Sequence, residues 1–492
     1  MTPELTDNLP QIAYSAQQVK ENEALVAAQQ NIPMYSLMQS AAQAVFDLML
    51  VKYRHAEKIQ IIAGGGNNAG DGYWIANYAL QHDFDVSVYS VKSPSELSGD
   101  AKRAHDDYLA QGGHVVDVLD STCDVYIDAL LGIGFYGQLS ELYVDVIKSV
   151  NSLNKPIIAV DLPSGLNATS AEASSTCIKA DYTVTFIALK QGLLTGNAKE
   201  YVGKLFFAGL GLCDAFAKAV TPKSSLVDFH YLKTQLPARH ANSYKQQLGH
   251  VLFIGGDETM PGAIRIAAES CLRAGAGLVS VATHPNNRAI VVQGRYELMV
   301  HGIQSPEQLS PLLEKADVCV IGPGLGQSPW GKSLWQEAIA TTKPLVIDAD
   351  ALNLLANQPA HLDKAILTPH AGEASRLLGI SSAEIELNRF ESVSNIVRKF
   401  NATVVLKGAG SLIAEQNKLA INMSGSASMA SAGMGDCLSG IIAALIAQGM
   451  SNFDAVQLAV NIHGRAAEQA EQQGKRGLLA SDLLPFIRKL VD

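Results

Sequence analysis

At 492 residues, with 48% hydrophobic and 17% charged residues and 41 glycines, the chain can bury a large core and lacks the composition of a disordered protein. Its length suggests about three domains and equally allows two large ones. A net charge of −10 argues against nucleic acid as a main partner and leaves small anions to local sites.

Residues 19–50 have helical periodicity, interrupted at Ile32-Pro33, with Leu37, Met38, Ala41, Ala42 and Val45 on one face. The run KIQIIA (Lys58 to Ala63) predicts a short strand; GGGNNAGDG follows, then the helical stretch YWIANYALQ. Gly64, Gly65 and Gly66 let the backbone approach a ligand, Asn67 and Asn68 bring amide donors and acceptors, and Asp71 stands at the expected helix start. Taken singly, each is also an ordinary turn or cap residue. The spacing is neither the GxGxxG fingerprint nor a P-loop.

DVSVYSV, a polar helix ending at Ala110 and CDVYIDALLG continue a β-α-β alternation, which predicts a mainly parallel sheet. Asp128 closes a strand before GIGFYG, and KPIIAVDLPSGLN repeats the arrangement with Asp161 and Ser164 beyond its strand. Three strand ends thus bring Asn67, Asn68 and Asp71, then Asp128, then Asp161 and Ser164 to one edge. Oxygen-bearing side chains gathered this way suit a hard cation or an acid/base pair; turn capping is the alternative for each aspartate. TVTFIALKQGLL and YVGKLFFAGLGL are expected as edge strands.

Regularity is lost from Cys213 to Gln247, where the domain boundary is expected. The expected division is 1–215 for the first domain, 216–247 for a linker and the start of the second, and 248–492 for the remainder. A fresh α/β series follows: HVLFIGG, the helix PGAIRIAAESCLRAGAG with small residues on its packing face, LVSVAT, DVCVIGPGLG, KPLVIDADALNLL, AILTPHAGEASRLLG and TVVLKGAGSLIA. SAGMGDCLSG then runs into an apolar helix with Leu438, Ile441, Ile442, Leu445 and Ile446 on one face. Gly433 and Gly435 allow a sharp turn whose N–H groups suit a phosphate oxygen. Asp436 beside such an anion site makes chemical sense as a general base for a hydroxyl that receives a phosphoryl group. The structural alternative is a first-turn carboxylate complementing the helix dipole.

Six cysteines (Cys123, Cys177, Cys213, Cys271, Cys319 and Cys437) stand apart, with no CxxC spacing and mostly within apolar runs. They read as reduced core thiols, not as a zinc site or disulfide framework. The stretch MTPELTDNLPQIAYS has neither a basic start nor an apolar core, and no apolar run reaches about 18 residues. A cytoplasmic protein with no membrane partner is expected.

HAGEASRLLG, VVLKGAG and ASAGMGDCLSGIIAALIAQG, in this order after GPGLG, resemble the ribokinase-like fold and, within it, the ADP- or ATP-dependent NAD(P)H-hydrate dehydratases. NNAGDG, DALLGIG and VDLPSG resemble the NAD(P)H-hydrate epimerase domain. Over nearly its whole length the chain is similar to the bifunctional NAD(P)H-hydrate repair family. The resemblance implies an α/β chain of two domains, an N-terminal Rossmann-like three-layer sandwich and a C-terminal ribokinase-like domain. It also implies that the first domain interconverts the R and S epimers of hydrated NADH and NADPH, while the second dehydrates the S epimer with ADP.

By that resemblance Asn67, Asn68, Ala69, Gly70 and Asp71, the loop Gly132, Ile133, Gly134, Phe135, Tyr136, Gly137 and Gln138, and Asp161 bind the hydrate in the epimerase domain. Asn68, Asp128 and Ser164 hold a potassium ion. In the dehydratase domain Ala263, Gly324, His370 and Asp436 bind the hydrate, and Lys407, Gly408, Ala409, Gly410, Ser411 and Gly435 bind the nucleotide, ADP with Mg2+. Asp161 and Asp436 are the catalytic candidates. His370 is a hydrogen-bonding locator or a proton shuttle, and Lys407 is a nucleotide contact or a plain surface lysine. A homo-oligomer is expected.

Three departures from the family pattern stand out: Tyr244-Lys245-Gln246 for histidine-lysine-glycine, Gln39 for an early glutamate, and Ala432 for a glycine. The rival functions are a small-molecule kinase of the hydroxymethylpyrimidine or hydroxyethylthiazole type fused to a nucleotide-binding domain, and a nucleotide-sensing scaffold without catalysis. The linked NNAGDG, Asp128 and VDLPSG cluster argues against the first, and the intact Asp436, Asp161 and Asp128 against the second.

Overall fold

Apolar strands alternating with amphipathic helices pair as largely parallel sheets in both halves of the computed structural model, which describes residues 5–360, 362 and 364–492. The chain divides into two units, Met1–Ser225 and Leu226–Asp492.

The first unit contributes β1 (Leu5–Thr6), β2 (Ile12–Ala13), β3 (Lys58–Ala63), β4 (Asp85–Ser90), β5 (Val115–Val116), β6 (Val125–Ala129), β7 (Ile157–Val160), β8 (Tyr182–Phe186) and β9 (Lys204–Ala208). Its eight-stranded sheet runs β1-β9-β8-β7-β6-β3-β4-β5. Every pairing from β5 to β9 is parallel; β1 closes the edge antiparallel. The succession goes one way from β3 through β4 to β5 and the other way from β6 onward, so it reverses between β3 and β6. That is the doubly wound order, whose crevice lies at the reversal. Ile59, Ile61 and Ala63 face one apolar cluster with the helices Met34–Lys52, Asn67–Gln81 and Gly99–Ala110. Ile62 faces another with helix Glu141–Ser152, so the alternation of β3 feeds both faces of a three-layer sandwich.

Two expectations change here. β8 and β9 are interior strands, because the short β1 pairs along β9 and supplies the edge; no local pattern predicts a partner from the far end of the chain. Helix Asn67–Gln81 starts at Asn67 with Gly66 as its cap, so Asn67, Asn68 and Asp71 ride the opening turns of a helix.

After β10 (Ser224–Leu226), which pairs with β2, the second unit has β11 (His250–Ile254), β12 (Leu278–Thr283), β13 (Met299–Gly302), β14 (Val318–Ile321), β15 (Leu345–Ile347), β16 (Ala365–Leu367), β17 (Thr403–Leu406), β18 (Leu412–Glu415) and β19 (Lys418–Ile421). Their order is β13-β12-β11-β14-β15-β16-β17-β18-β19, parallel as far as β17 and antiparallel after it. This sheet reverses between β11 and β14.

Helix Met434–Ala447 is the centre of that unit. The expected apolar face is buried, but so are Ser439, Gly440, Ala443 and Ala444, so the helix is enclosed all round. Gly440 makes this possible. A Cβ there would lie 2.0 Å from Ser270 Oγ and 2.1 Å from the Ala267 carbonyl of helix Pro261–Arg273. Gly440→Ala should therefore force the two helices apart and lower stability by about 1–3 kcal/mol, read as a lower urea midpoint.

Candidate functional site

In the first unit a cavity of about 830 Å³ opens where the strand order reverses. Gly65, Gly66, Asn67, Asn68 and Asp71 form one wall, Gly132, Ile133, Gly134, Phe135, Tyr136 and Gln138 another, and Asp161 stands between β7 and the next turn. Three other expected residues are off that wall. Ala69 is fully buried in the apolar cluster. A Cβ on Gly70 would strike Met38 and Ala101, so this glycine lets the helix pack closely. Gly137 serves its loop through a φ of +80°. Gln39 is also outside the cavity lining, its carbonyl accepting the Tyr78 hydroxyl at 3.3 Å.

Asp128, Ser164 and Asn68 meet beneath this wall. The fully buried Asp128 accepts from Ser164 Oγ at 2.6 Å, Ser164 N at 2.7 Å and Leu130 N at 3.2 Å. Asn68 Nδ2 donates to the Leu131 carbonyl at 3.1 Å, and Ser164 Oγ accepts from Leu131 N at 2.9 Å. Burial pushes the Asp128 carboxyl up to about 6 against the opposing effect of these hydrogen bonds.

Lys190 is the residue that sequence reasoning missed. Its Nζ donates to Asp161 Oδ1 at 2.5 Å, Thr185 Oγ1 at 3.1 Å and the Phe186 carbonyl at 2.9 Å, so all three donors are committed. Thr185 Oγ1 also donates to Asp161 Oδ1 at 3.1 Å. Lys190 is 2% exposed. Removing one member of such a pair leaves a buried charge at a cost of about 3–5 kcal/mol. Asp161 and Ile187, both on the cavity wall, hold φ values of +66° and +62°. Backbone strain of this kind persists where surrounding contacts over-determine it.

In the second unit the strand ends converge in the same way. β15 delivers Asp348, β16 leads to His370 and β17 delivers Lys407. Lys407 Nζ lies 3.0 Å from Asp348 Oδ1 and 3.7 Å from Glu373 Oε2, while Ser439 Oγ donates to Asp348 Oδ2 at 2.8 Å. Lys407 is thus an internal ion-pair partner and not a plain surface lysine. Burial opposes the Asp348 charge, but Lys407, Thr368 and Ser439 outweigh it and hold the carboxyl below its usual range. A Cβ on Gly435 would sit 3.2 Å from Lys407 Nζ, so this glycine lets the helix start approach the ion pair.

Asp436 lies in the first turn after Gly433, whose φ is +86°. Burial, then the Asp348 charge, push its carboxyl up to about 7, with Lys407 pulling the other way and Asp350 and Glu373 adding to the rise. Asp350 Oδ2 accepts from Gly326 N at 2.9 Å. In the same turn region a Cβ on Gly324 would lie 3.3 Å from Ala263. Ala263 and Gly324 are therefore neighbours at the β11/β14 reversal.

His370 caps helix Ala371–Leu378: its Nδ1 accepts from Gly372 N at 2.9 Å and Glu373 N at 3.3 Å. The neutral ring therefore carries its proton on Nε2, 3.5 Å from Glu373 Oε1. Gly408, with φ +144°, packs against the fully buried Arg389, whose Nη2 donates to the Leu406 and Lys407 carbonyls at 3.2 and 3.3 Å. Ser411 Oγ donates to the Gly408 carbonyl at 3.0 Å, and Ala409 and Gly410 complete the loop before β18. Asp348 could have been picked out as an acid at a strand end and Glu373 as the acid of a capping box after one; Arg389 and the buried, neutral His463, pulled down to about 4 chiefly by burial, lie within helices and give no local signal. Ala432 and Tyr244 are exposed.

Residues 251–489 match the family described as NAD(P)H-hydrate dehydratase and residues 34–192 the family described as YjeF-related protein N-terminus. A bifunctional NAD(P)H-hydrate repair enzyme of Coxiella burnetii is 42% identical over 98% of this chain and 99% of its own. Among solved structures, a ribokinase-like superfamily protein of Enterococcus faecalis is 28% identical, with TM-score 0.51, over 54% of this chain and 94% of that one. An ADP/ATP-dependent NAD(P)H-hydrate dehydratase of Bacillus subtilis, co-crystallized with ATP/Mg2+, is 27% identical, with TM-score 0.50, over 54% of this chain and 96% of that one. With a relative of that identity spanning nearly the full length and both family matches in the same order, the chain belongs to the bifunctional NAD(P)H-hydrate repair enzymes.

Proposed function

We propose that the N-terminal unit interconverts the R and S epimers of hydrated NADH and NADPH and that the C-terminal unit dehydrates the S epimer with ADP, releasing AMP and phosphate. The observation that carries the second step is Asp436, a carboxyl held near neutrality beside a glycine turn that opens a helix. Hydroxide is a poor leaving group. Asp436 takes the hydroxyl proton as that oxygen attacks the terminal phosphorus of ADP, and the N–H groups at the helix start meet the charge that develops. The C–O bond then breaks with phosphate leaving, and loss of a proton from the adjacent carbon restores the double bond.

Lys407, Gly408, Ala409, Gly410, Ser411 and Gly435 bind the nucleotide in this reading; Lys407 is fixed by Asp348, and Gly408 by Arg389. Ala263, Gly324 and His370 orient the hydrate. Mg2+ would enter with the nucleotide phosphates, which supply most of the oxygens this ion prefers.

In the first unit Asp161, matched by Lys190, is the base that initiates epimerisation, and the walls carrying Asn67, Asn68, Asp71 and residues 132–138 receive the hydrate. Asn68, Asp128 and Ser164 would hold K+. The donors are oxygens with a single buried carboxylate, which fits a hard monovalent cation, and such an ion supplies the positive charge that Asp128 lacks. Six free cysteines support a reducing, cytoplasmic setting. A homo-oligomer is kept as part of the reading.

Asp436→Asn should abolish ADP-dependent recovery of reduced-nicotinamide absorbance and spare epimerisation, and Asp161→Asn should do the reverse; loss of both activities from either change would refute two independent sites. Dehydration should fall as pH drops below about 7, where Asp436 takes a proton. Lys407→Met removes the charge that opposes this, so at saturating ADP the acid limb should move to higher pH. Replacing K+ by a large organic cation should slow epimerisation and leave dehydration unchanged, and Asp128→Asn should remove that dependence.

A further inference from the structure

The cavity of the first unit holds more acid than its chemistry has yet used. Glu23, on helix Ala16–Gln29, and Asp71, on helix Asn67–Gln81, both line it together with Asp161 and Lys190. Among the described residues neither Glu23 nor Asp71 has a hydrogen-bond or ion-pair partner, whereas Lys190 has committed all its donors elsewhere. We propose that Asp71 is the general acid that works opposite Asp161 in epimerisation of the hydrate, and that Glu23, on the same cavity wall, is the carboxyl whose charge tunes it for that role. This rests on the reading of Asp161 as the base.

The physical argument is charge. Four carboxyls, Glu23, Asp71, Asp100 and Asp161, line one cavity with one buried ammonium, and that ammonium is bound to Asp161. Lost contact with water, followed by the charges of Asp161 and Glu23, holds the Asp71 carboxyl well above its usual range, with Lys190 the opposing influence. Burial raises Glu23 as well. Carboxyls whose environments drive their proton affinities apart take opposite roles, one as acid and one as base. The other titratable groups on the wall are Lys20, Lys92, Asp100, Tyr136 and Tyr143; Lys92 lies 3.6 Å from Glu96, and Lys20 and Tyr136 are exposed.

The reaction needs such a pair. Water adds to an enamine with its hydroxyl on the carbon beside nitrogen, so the epimeric carbon of the hydrate carries both hydroxyl and ring nitrogen. Asp161 takes the hydroxyl proton, the C–O bond becomes a carbonyl, the C–N bond breaks, and its electron pair takes the proton of Asp71. The chain turns to present the other face of the aldehyde. Asp71 then recovers the proton as nitrogen re-adds, and Asp161 returns its own to oxygen. No electrons are gained or lost, and both residues end as they began.

The test uses the full-length protein and the purified R epimer of hydrated NADH without ADP, following conversion to the S epimer by chromatography across pH. Asp71→Asn should lower kcat by about 10²- to 10⁴-fold with KM little changed, while the same chain still dehydrates the S epimer when ADP and Mg2+ are added. Glu23→Gln should lower kcat by less than Asp71→Asn does and move the alkaline limb to lower pH, because Asp71 then loses its proton more easily. A near-normal kcat in Asp71→Asn, a rise in KM alone, or an unmoved alkaline limb in Glu23→Gln would overturn the proposal. Full activity in Asp161→Asn would instead overturn the underlying reading, whatever Asp71 does.

Discussion

Parallel pairing is the constraint from which both sites follow. A crossover helix returns the chain to the same end of the sheet each time, so every strand of the parallel run finishes at one edge. Side chains separated by scores of residues therefore meet there without any long-range signal in the sequence. Where the strand order reverses, the two flanking loops part and leave a crevice. In the first unit that crevice is the cavity bounded by Gly65, Gly132 and Asp161; in the second it lies by Ala263 and Gly324.

Each unit then meets the same electrostatic problem with the same device. A carboxylate at a strand end is buried, and a lysine from another strand end or the turn after it neutralises it: Asp161 with Lys190, Asp348 with Lys407. Such pairs contribute little net stability, since desolvation offsets their attraction. What they give is a fixed charge beside groups of the opposite protonation tendency. Asp436 stands next to the Asp348–Lys407 pair and is held near neutrality. Asp71 stands next to the Asp161–Lys190 pair and is held well above its usual range. A settled ion pair thus sets the proton affinity of its neighbour.

Strain marks the same places. Asp161 and Ile187 in the first unit, and Ala349 directly after Asp348 in the second, have positive φ values without being glycine. Each costs of order 1–3 kcal/mol, and each lies within a residue of a strand end or an ion-pair member. In the first unit Asp161 is held at that geometry by Lys190 and Thr185, which both donate to its Oδ1.

Much of this was legible from residues alone. The strands KIQIIA, HVLFI and LVSVAT, the glycine start of the apolar helix with Asp436 in its first turn, and the polar strand ends at Asp128 and Asp161 follow from local period, Cβ-free turns and residue chemistry, which act over a few positions. The interior placement of β8 and β9, the partnering of Lys190 with Asp161 and of Lys407 with Asp348, and the gathering of Glu23 and Asp71 in one cavity depend on which strands neighbour which. Sequence determines what each segment prefers and what each side chain can do. Only the tertiary structure decides which charges share a low-dielectric space, because burial, nearby charge and hydrogen bonds across the sheet edge, the causes of the shifted proton affinities at both sites, are properties of packing between distant segments.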